Sequence, residues 1–224
     1  MSSRVIAIDG PAGSGKSTTA RAVAEKLDLS HVDSGALYRA AALAALDAGL
    51  DLDGPRIVEN ARALPVRLQF TAGGYRPEVA GVDVSLEIRT DRVTAHSSPV
   101  SALPEVREWV NEALRAAVLS HPRGAVLDGR DIGSVVFPDA VLKVYLTADE
   151  TERAKRRLHQ LGRPVDEASV LEIQTTMAGR DTADSTRSVA PLAIADGAVV
   201  IDTTDLTFEE QLSRILELAG NVFD

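Results

Sequence analysis

Val5-Ile6-Ala7-Ile8-Asp9-Gly10-Pro11-Ala12-Gly13-Ser14-Gly15-Lys16-Ser17-Thr18 is the stretch that decides the fold. Its first four residues are apolar and three are β-branched, as in a strand buried on both faces. Residues 10–17 then fit G-x-x-x-x-G-K-[ST] at every fixed position. Behind the turn, Ala20, Val23, Ala24 and Leu27 recur at helical spacing. Strand, glycine-rich turn and helix together open an α/β unit with a parallel sheet. In such a turn successive backbone N–H groups point inward at an anion, and the helix adds its N-terminal positive end. A chance match to the pattern has odds of roughly one in a hundred for a chain this long, and strand and helix both stand where the motif needs them. Gly10, Pro11, Ala12, Gly13, Ser14, Gly15, Lys16, Ser17 and Thr18 are therefore the candidate ATP-binding loop. Lys16 would reach the β- and γ-phosphates, and the Ser17 hydroxyl would help hold Mg²⁺, partly through water.

Working outward, alanine-rich residues 34–48 close at Gly49 and read as a helix, and residues 53–64 as another, opened by Asp53 and Pro55. From about 65 to 90 the pattern changes to short strands with hairpin chemistry at Ala72-Gly73-Gly74. Residues 104–120 carry an amphipathic helix in which Trp109 belongs to the apolar stripe. Residues 125–129 and 140–146 are buried-strand candidates, 150–161 a charged helix, and 166–183 a further helix. Residues 198–202 give a last strand and 208–219 a last helix.

The 224 residues suggest one elaborated domain, and 45% hydrophobic content supplies a core. With no cysteine, disulfide scaffolds and thiolate metal sites are excluded. A net charge of −9 argues against a polymeric nucleic-acid or anionic-membrane binder. No run approaches the length of a membrane helix, and the N-terminus lacks a secretory apolar region, so a cytoplasmic protein is expected. Of the 24 basic residues only Lys16, Lys26, Lys143 and Lys155 are lysine; planar arginine forks suit phosphate. The histidines 31, 96, 121 and 159 lack metal-ligand spacing and read as structural or exposed. His31 alone adjoins a phosphate-facing loop.

The loop does not by itself name a reaction. Asn60, Asn111 and Asn221 are followed by Ala, Glu and Val, so the N-K-x-D guanine reader is absent, as is a transporter signature. A small P-loop kinase or a compact ATPase remains. Five ordered blocks go further: IDGPAGSGKST, DSGALYRA, SALPEVRE, DGRDIGSVVFPDA and, from Arg180, RD…D…R.VAPL. Together they resemble the bacterial cytidylate kinases of the nucleoside monophosphate kinase group. The resemblance implies a P-loop core of parallel strands flanked by helices. Residues 1–33, 104–150 and 188–224 would form it, with an acceptor-binding region at 34–103 enlarged by the β insertion, and a helical lid at 151–187. It implies transfer of the ATP γ-phosphoryl group to CMP or dCMP by a monomer acting on free nucleotides. Another acceptor such as UMP or AMP is the alternative within enzymes, and a nucleotide-binding regulatory module the alternative outside them.

The resemblance assigns roles residue by residue. Ser34, Arg39 and Arg130 would hold the CMP phosphate. Asp131 would accept from the cytosine amino group, with Ser98 and Arg107 completing base recognition. Arg180 and Arg187 would close over the phosphates and Asp184 would meet the ribose. Lys16, Arg130, Arg180 and Arg187 are thus the candidate catalytic cations. Ala183 and Ser185 stand where the family often carries further arginines, which weakens the lid's expected charge. From the residues themselves, Arg153, Arg156 and Arg157 form a basic cluster that could serve the donor phosphates, with Arg157 the candidate, or equally be a solvated helix face. Asp128, ending a core strand, could orient Mg²⁺ through water or cap the next turn.

Overall fold

A computed structural model describes residues 4–72, 74–120 and 123–223; His121 and Gly73, which figured in the readings above, lie outside them. In chain order the elements are β1 (Val5–Asp9), α1 (Lys16–Lys26), β2 (Ser30–Asp33), α2 (Ser34–Asp47) and α3 (Gly54–Ala63). Then come β3 (Arg67–Thr71), β4 (Gly74–Val79), β5 (Val82–Asp83), α4 (Asp91–Ala102), α5 (Pro104–Leu119) and β6 (Ala125–Gly129). The chain ends with β7 (Leu142–Thr147), α6 (Glu150–Gln160), α7 (Glu167–Thr186), β8 (Val199–Asp202) and α8 (Phe208–Phe223).

Five strands form a sheet in the order β2-β6-β1-β7-β8, parallel at every pairing. All five residues of β1 are buried, because strands flank it on both sides and helices cover both faces. One apolar cluster joins Val5, Ala7, Val32 and Leu127 to the alanine face of α2 and to Val106, Val110 and Leu114 of α5. A second joins Ile6, Ile8, Val126 and Val144 to α1 and α8, and a third, Ala154, Leu158, Ile173 and Met177, joins α6 to α7. Register is what builds the site. Asp9 pairs with Gly129, and Asp33 with Asp128, so three strand ends with their acidic residues meet at one carboxyl edge. Ligands bind at that edge in sheets of this kind.

The β insertion is a separate three-stranded antiparallel sheet, β3-β4-β5. It leans on the edge strand of the large sheet. Gly74 has φ +120°, and a Cβ there would stand 2.6 Å from the His31 carbonyl oxygen. Beside it, Tyr75 Oη donates to Ala117 O at 2.6 Å, tying the insertion to the end of α5.

Three elements differ from expectation. The sequence reading leaves 91–102 without a helix, yet α4 forms there with Pro99 inside it. α7 continues through the Thr and Ser residues to Thr186 instead of ending near 183, and α8 runs past 219. Among the described residues no helix is long and apolar enough to cross a membrane.

Candidate active site

The loop between β1 and α1 closes tightly on its own lysine. Gly10 has φ +148°, and a Cβ there would lie 2.0 Å from Leu146 O, so only glycine lets the loop pass β7. Lys16 is buried; its Nζ donates to Pro11 O at 2.6 Å and meets Ser14 Oγ at 3.4 Å. Burial, and then the Arg130 guanidinium, push the ammonium well below its usual range. An anion arriving here relieves both effects at once.

At the end of β6, Asp128 joins the loop to β2. Ser17 Oγ donates to Asp128 Oδ2, and His31 Nε2 lies 2.8 Å from Asp128 Oδ1. Ser34 Oγ donates to the Asp128 carbonyl at 2.7 Å. A capping role for Asp128 toward the next turn is not what these contacts show; its side chain faces the P-loop.

Asp9, closing β1, accepts from Ile132 N at 2.9 Å and Gly133 N at 2.8 Å. These bonds anchor the π-helical turn at 132–136 and hold the preceding Arg130 and Asp131 at the mouth of the sheet. Burial nevertheless raises the Asp9 carboxyl to about 6, against the pull of those two N–H groups.

Beyond that turn the predicted acceptor residues assemble as ion pairs. Arg107 is only 2% exposed, so it is not a solvated helix arginine. It donates to Asp131 and, through Nη1, to Ser101 O at 3.0 Å, and its guanidinium lies 5.4 Å from the Tyr38 ring centroid. The other Asp131 oxygen faces Arg187 Nη2 at 3.4 Å. Arg130 Nε donates to Asp184 Oδ2 at 2.9 Å, and Arg187 Nη1 stands 3.8 Å from Asp184 Oδ1. Ser98 joins indirectly: its carbonyl accepts from Ser101 Oγ at 3.0 Å. Arg39 donates to Asp33 Oδ2 at 2.7 Å, and Arg89 reaches the same oxygen at 3.7 Å. Burial opposes the Asp33 charge, yet Arg39 and Arg89 outweigh it and hold the carboxyl below its usual range. Arg180 falls to about 10, through burial and then repulsion from Arg130.

The family model for cytidylate kinase matches residues 6–221. The chain belongs to the cytidylate kinase family. The cytidylate kinase of Corynebacterium efficiens is 43% identical over 216 residues, spanning 96% of this chain and 93% of that protein. That of Exiguobacterium sibiricum is 45% identical over 216 residues, 96% of both chains. A solved uncharacterized protein from Eubacterium ventriosum aligns over 96% of this chain and 98% of its own with a TM-score of 0.51 at 14% identity, which speaks to fold alone. As a cytidylate kinase family member the chain is a nucleoside monophosphate kinase, a phosphotransferase using ATP.

Within this cytidylate kinase scaffold the structure brings Lys16, Ser17, Ser34, Arg39, Arg107, Arg130, Asp131, Arg180, Asp184 and Arg187 to one edge of the sheet. It does not bring Arg157 to the loop: that residue's Nη1 faces Gln160 Oε1 at 3.4 Å on an exposed face. Arg153, one turn earlier, docks there instead. It donates to Ala12 O at 2.9 Å and pairs with Asp181, whose Oδ1 accepts from Ala12 N at 2.9 Å. Arg156 is spent on Thr203, through Oγ1 at 2.9 Å and the carbonyl at 2.6 Å. Arg153 and Arg157 stand one turn apart on the same side of α6, so helical period alone could not choose between them; the choice rests on which turn meets the P-loop. Asp9, Asp33 and Asp181 went unassigned in the sequence reading; the first two could be found as acids ending core strands.

Proposed function

We propose that this protein transfers the γ-phosphoryl group of ATP to CMP or dCMP, giving CDP or dCDP and ADP. One observation carries the choice of base: Asp131 is held between Arg107 and Arg187, buried and aimed by both. Cytosine offers an amino donor beside N3 and O2 acceptors, so one carboxylate flanked by donors complements it. Uracil would set an oxygen against Asp131 and leave buried groups unmatched.

The acceptor's phosphate oxygen is already anionic, so the reaction needs no strong base. It needs two polyanions brought in line and the charge on the migrating group spread over fixed cations. Arg39 and Arg130 are read as the forks for the acceptor phosphate. Their present partners, Asp33 and Asp184, hold them extended toward it. Lys16, Arg180 and Arg187 face the transferring group. Asp184, freed from Arg130, would meet the ribose. Ser98 completes the base pocket through the Ser101–Arg107 chain. Residues 34–103 act as the acceptor-binding region and 151–187 as the lid on a core of 1–33, 104–150 and 188–224.

Mg²⁺ fits the residues present. Ser17 Oγ and the Asp128 carboxylate are hard oxygen donors sharing one hydrogen bond, the kind of sparse protein set that this cation completes with phosphates and water. Bound there, it would supply charge neutralisation on the β- and γ-oxygens. The protein is further read as a cytoplasmic monomer acting on free nucleotides, with no polymeric nucleic acid as partner, which its charge of −9 supports.

A coupled ADP-release assay across CMP, dCMP, UMP, AMP and GMP tests the reading. CMP and dCMP should stimulate ADP release far above ATP alone and above the other acceptors. No stimulation by CMP would overturn it, and a larger effect of UMP or AMP would reassign the acceptor. Lys16→Ala should lower turnover by roughly 10²–10³ with the fold retained.

A further inference from the structure

His31 is the second residue of β2, and none of the roles above uses it. Its place is fixed from two sides. Its backbone lies under Gly74 of the insertion, where even a Cβ would clash with it. Its ring is buried, with Nε2 2.8 Å from Asp128 Oδ1. The other Asp128 oxygen takes the Ser17 hydroxyl, and the Asp128 carbonyl takes Ser34 Oγ at 2.7 Å. The serine at the carbonyl holds the backbone; the side chain's rotation is left to Ser17 and His31. Were the Ser17 hydroxyl to turn toward a cation, His31 would be the remaining contact that keeps the carboxylate facing the loop.

We infer that His31 is a positioning residue: its Nε2–H donates to Asp128 Oδ1 and fixes the carboxylate so that Oδ2 faces Ser17 and a divalent cation accompanying the donor nucleotide. This rests on the reading of Ser17 and Asp128 as the Mg²⁺ donors. The physical reason is general. A carboxylate near a metal rotates freely unless its second oxygen is held, and loss of such an outer partner weakens metal binding about 10–100-fold. Glutamine keeps a donor at nearly the same reach as Nε2, whereas methionine fills similar space without one.

The test uses the full-length protein with the β,γ-imido analogue of ATP and Mn²⁺ as the probe, following free Mn²⁺ by electron paramagnetic resonance. His31→Met should weaken Mn²⁺ about 10–100-fold while analogue binding in EDTA stays within about twofold. His31→Gln should recover Mn²⁺ affinity to within about threefold of wild type. Asp128→Asn serves as the control for the underlying reading. If Asp128→Asn loses Mn²⁺ but His31→Met does not, or if Gln is as weak as Met, the positioning role falls alone. If Asp128→Asn also leaves Mn²⁺ affinity unchanged, the metal-site reading falls and takes the role with it. Nitrogen-15 spectra of wild-type histidine supply a check independent of any variant's folding: a bare, unprotonated Nε2 on His31 overturns the proposal.

Discussion

Asp131 shows what a single side chain decides. Its two oxygens face two buried guanidiniums, so nothing about its orientation is free. Replacing it by asparagine turns one acceptor into a donor, which must oppose either Arg107 or Arg187. Asp131→Asn should therefore shrink the CMP-over-UMP ratio of kcat/KM by about tenfold or more, since each unmatched buried group is worth upward of 1 kcal/mol. A ratio that stays fixed in competition assays would mean the base is read elsewhere. Asp9 makes a different prediction. Its folded carboxyl sits at about 6, above the ordinary 3.8. The folded state therefore binds the extra proton between those values, and Asp9's contribution is greatest below pH 3.8 and fades as pH rises through 6. Asp9→Asn should remove a slope of at most about 1.4 kcal/mol per pH unit from urea-derived stability between pH 4 and 6. Identical slopes in the two proteins would refute the raised carboxyl. Asp131 could be singled out as a candidate in the sequence because it follows a buried strand in a recognisable block. Asp9 was legible only as the end of a strand, since its two N–H donors come from a turn more than a hundred residues away.

Elements were read most easily where local pattern and tertiary packing agree. β1, α1, α2 and β6 belong to this class: apolar run, glycine turn or alanine face all point the same way. α4 is the counterexample. Pro99 removes a helical N–H, and Thr, Ser and His give weak intrinsic support, so the local evidence argues for a loop. Burial of Val93, Ser97 and Val100, the two valines in the cluster that holds the alanine face of α2, overrides it. α7 likewise runs past its weak helix formers, because Ser185 and Thr186 bond back to carbonyls within the helix: Ser185 Oγ donates to Asp181 O at 2.7 Å and Thr186 Oγ1 to Thr182 O at 2.8 Å. What fastens α6 and α7 over the P-loop is the Arg153–Asp181 pair on Ala12. Asp181→Ala would strand a mostly buried guanidinium and free the Ala12 N–H. It should destabilise this contact by on the order of 3 kcal/mol. Hydrogen exchange is the measurement: amides in 167–186 should exchange faster while those of β1 do not. Uniform acceleration would indicate global loss instead, and no change would show that α7 docks through its apolar contacts at Ile173 and Met177 alone.

At the scale of the whole molecule, a net charge of −9 coexists with an arginine-rich cleft whose cations are paired with Asp33, Asp131, Asp181 and Asp184. Composition could reveal the arginine excess, but not that Lys16, Arg39, Arg130, Arg180 and Arg187 converge. That convergence depends on the crossover order β2-β6-β1-β7-β8, which no local pattern encodes. The convergence has an energetic signature. Lys16 and Arg180 are both held below their usual ranges by burial and by Arg130, so the cleft opposes its own charges. For Arg180 the contribution is unfavourable at neutral pH and is relieved only as pH rises through the folded value of about 10 and beyond it. Arg180→Met should thus make the nucleotide-free protein more stable, by about 1–2 kcal/mol, while turnover falls roughly 10²–10³-fold. In a buffer without phosphate or sulfate its melting midpoint should exceed that of wild type by a few degrees. Saturating ATP analogue and CMP should reverse the order, because bound anions stabilise only a cleft that keeps its cations. A variant that melts no higher than wild type without nucleotide would show that Asp184 and Asp181 already offset the repulsion. In that case the arginines would be held ready at no cost to the fold.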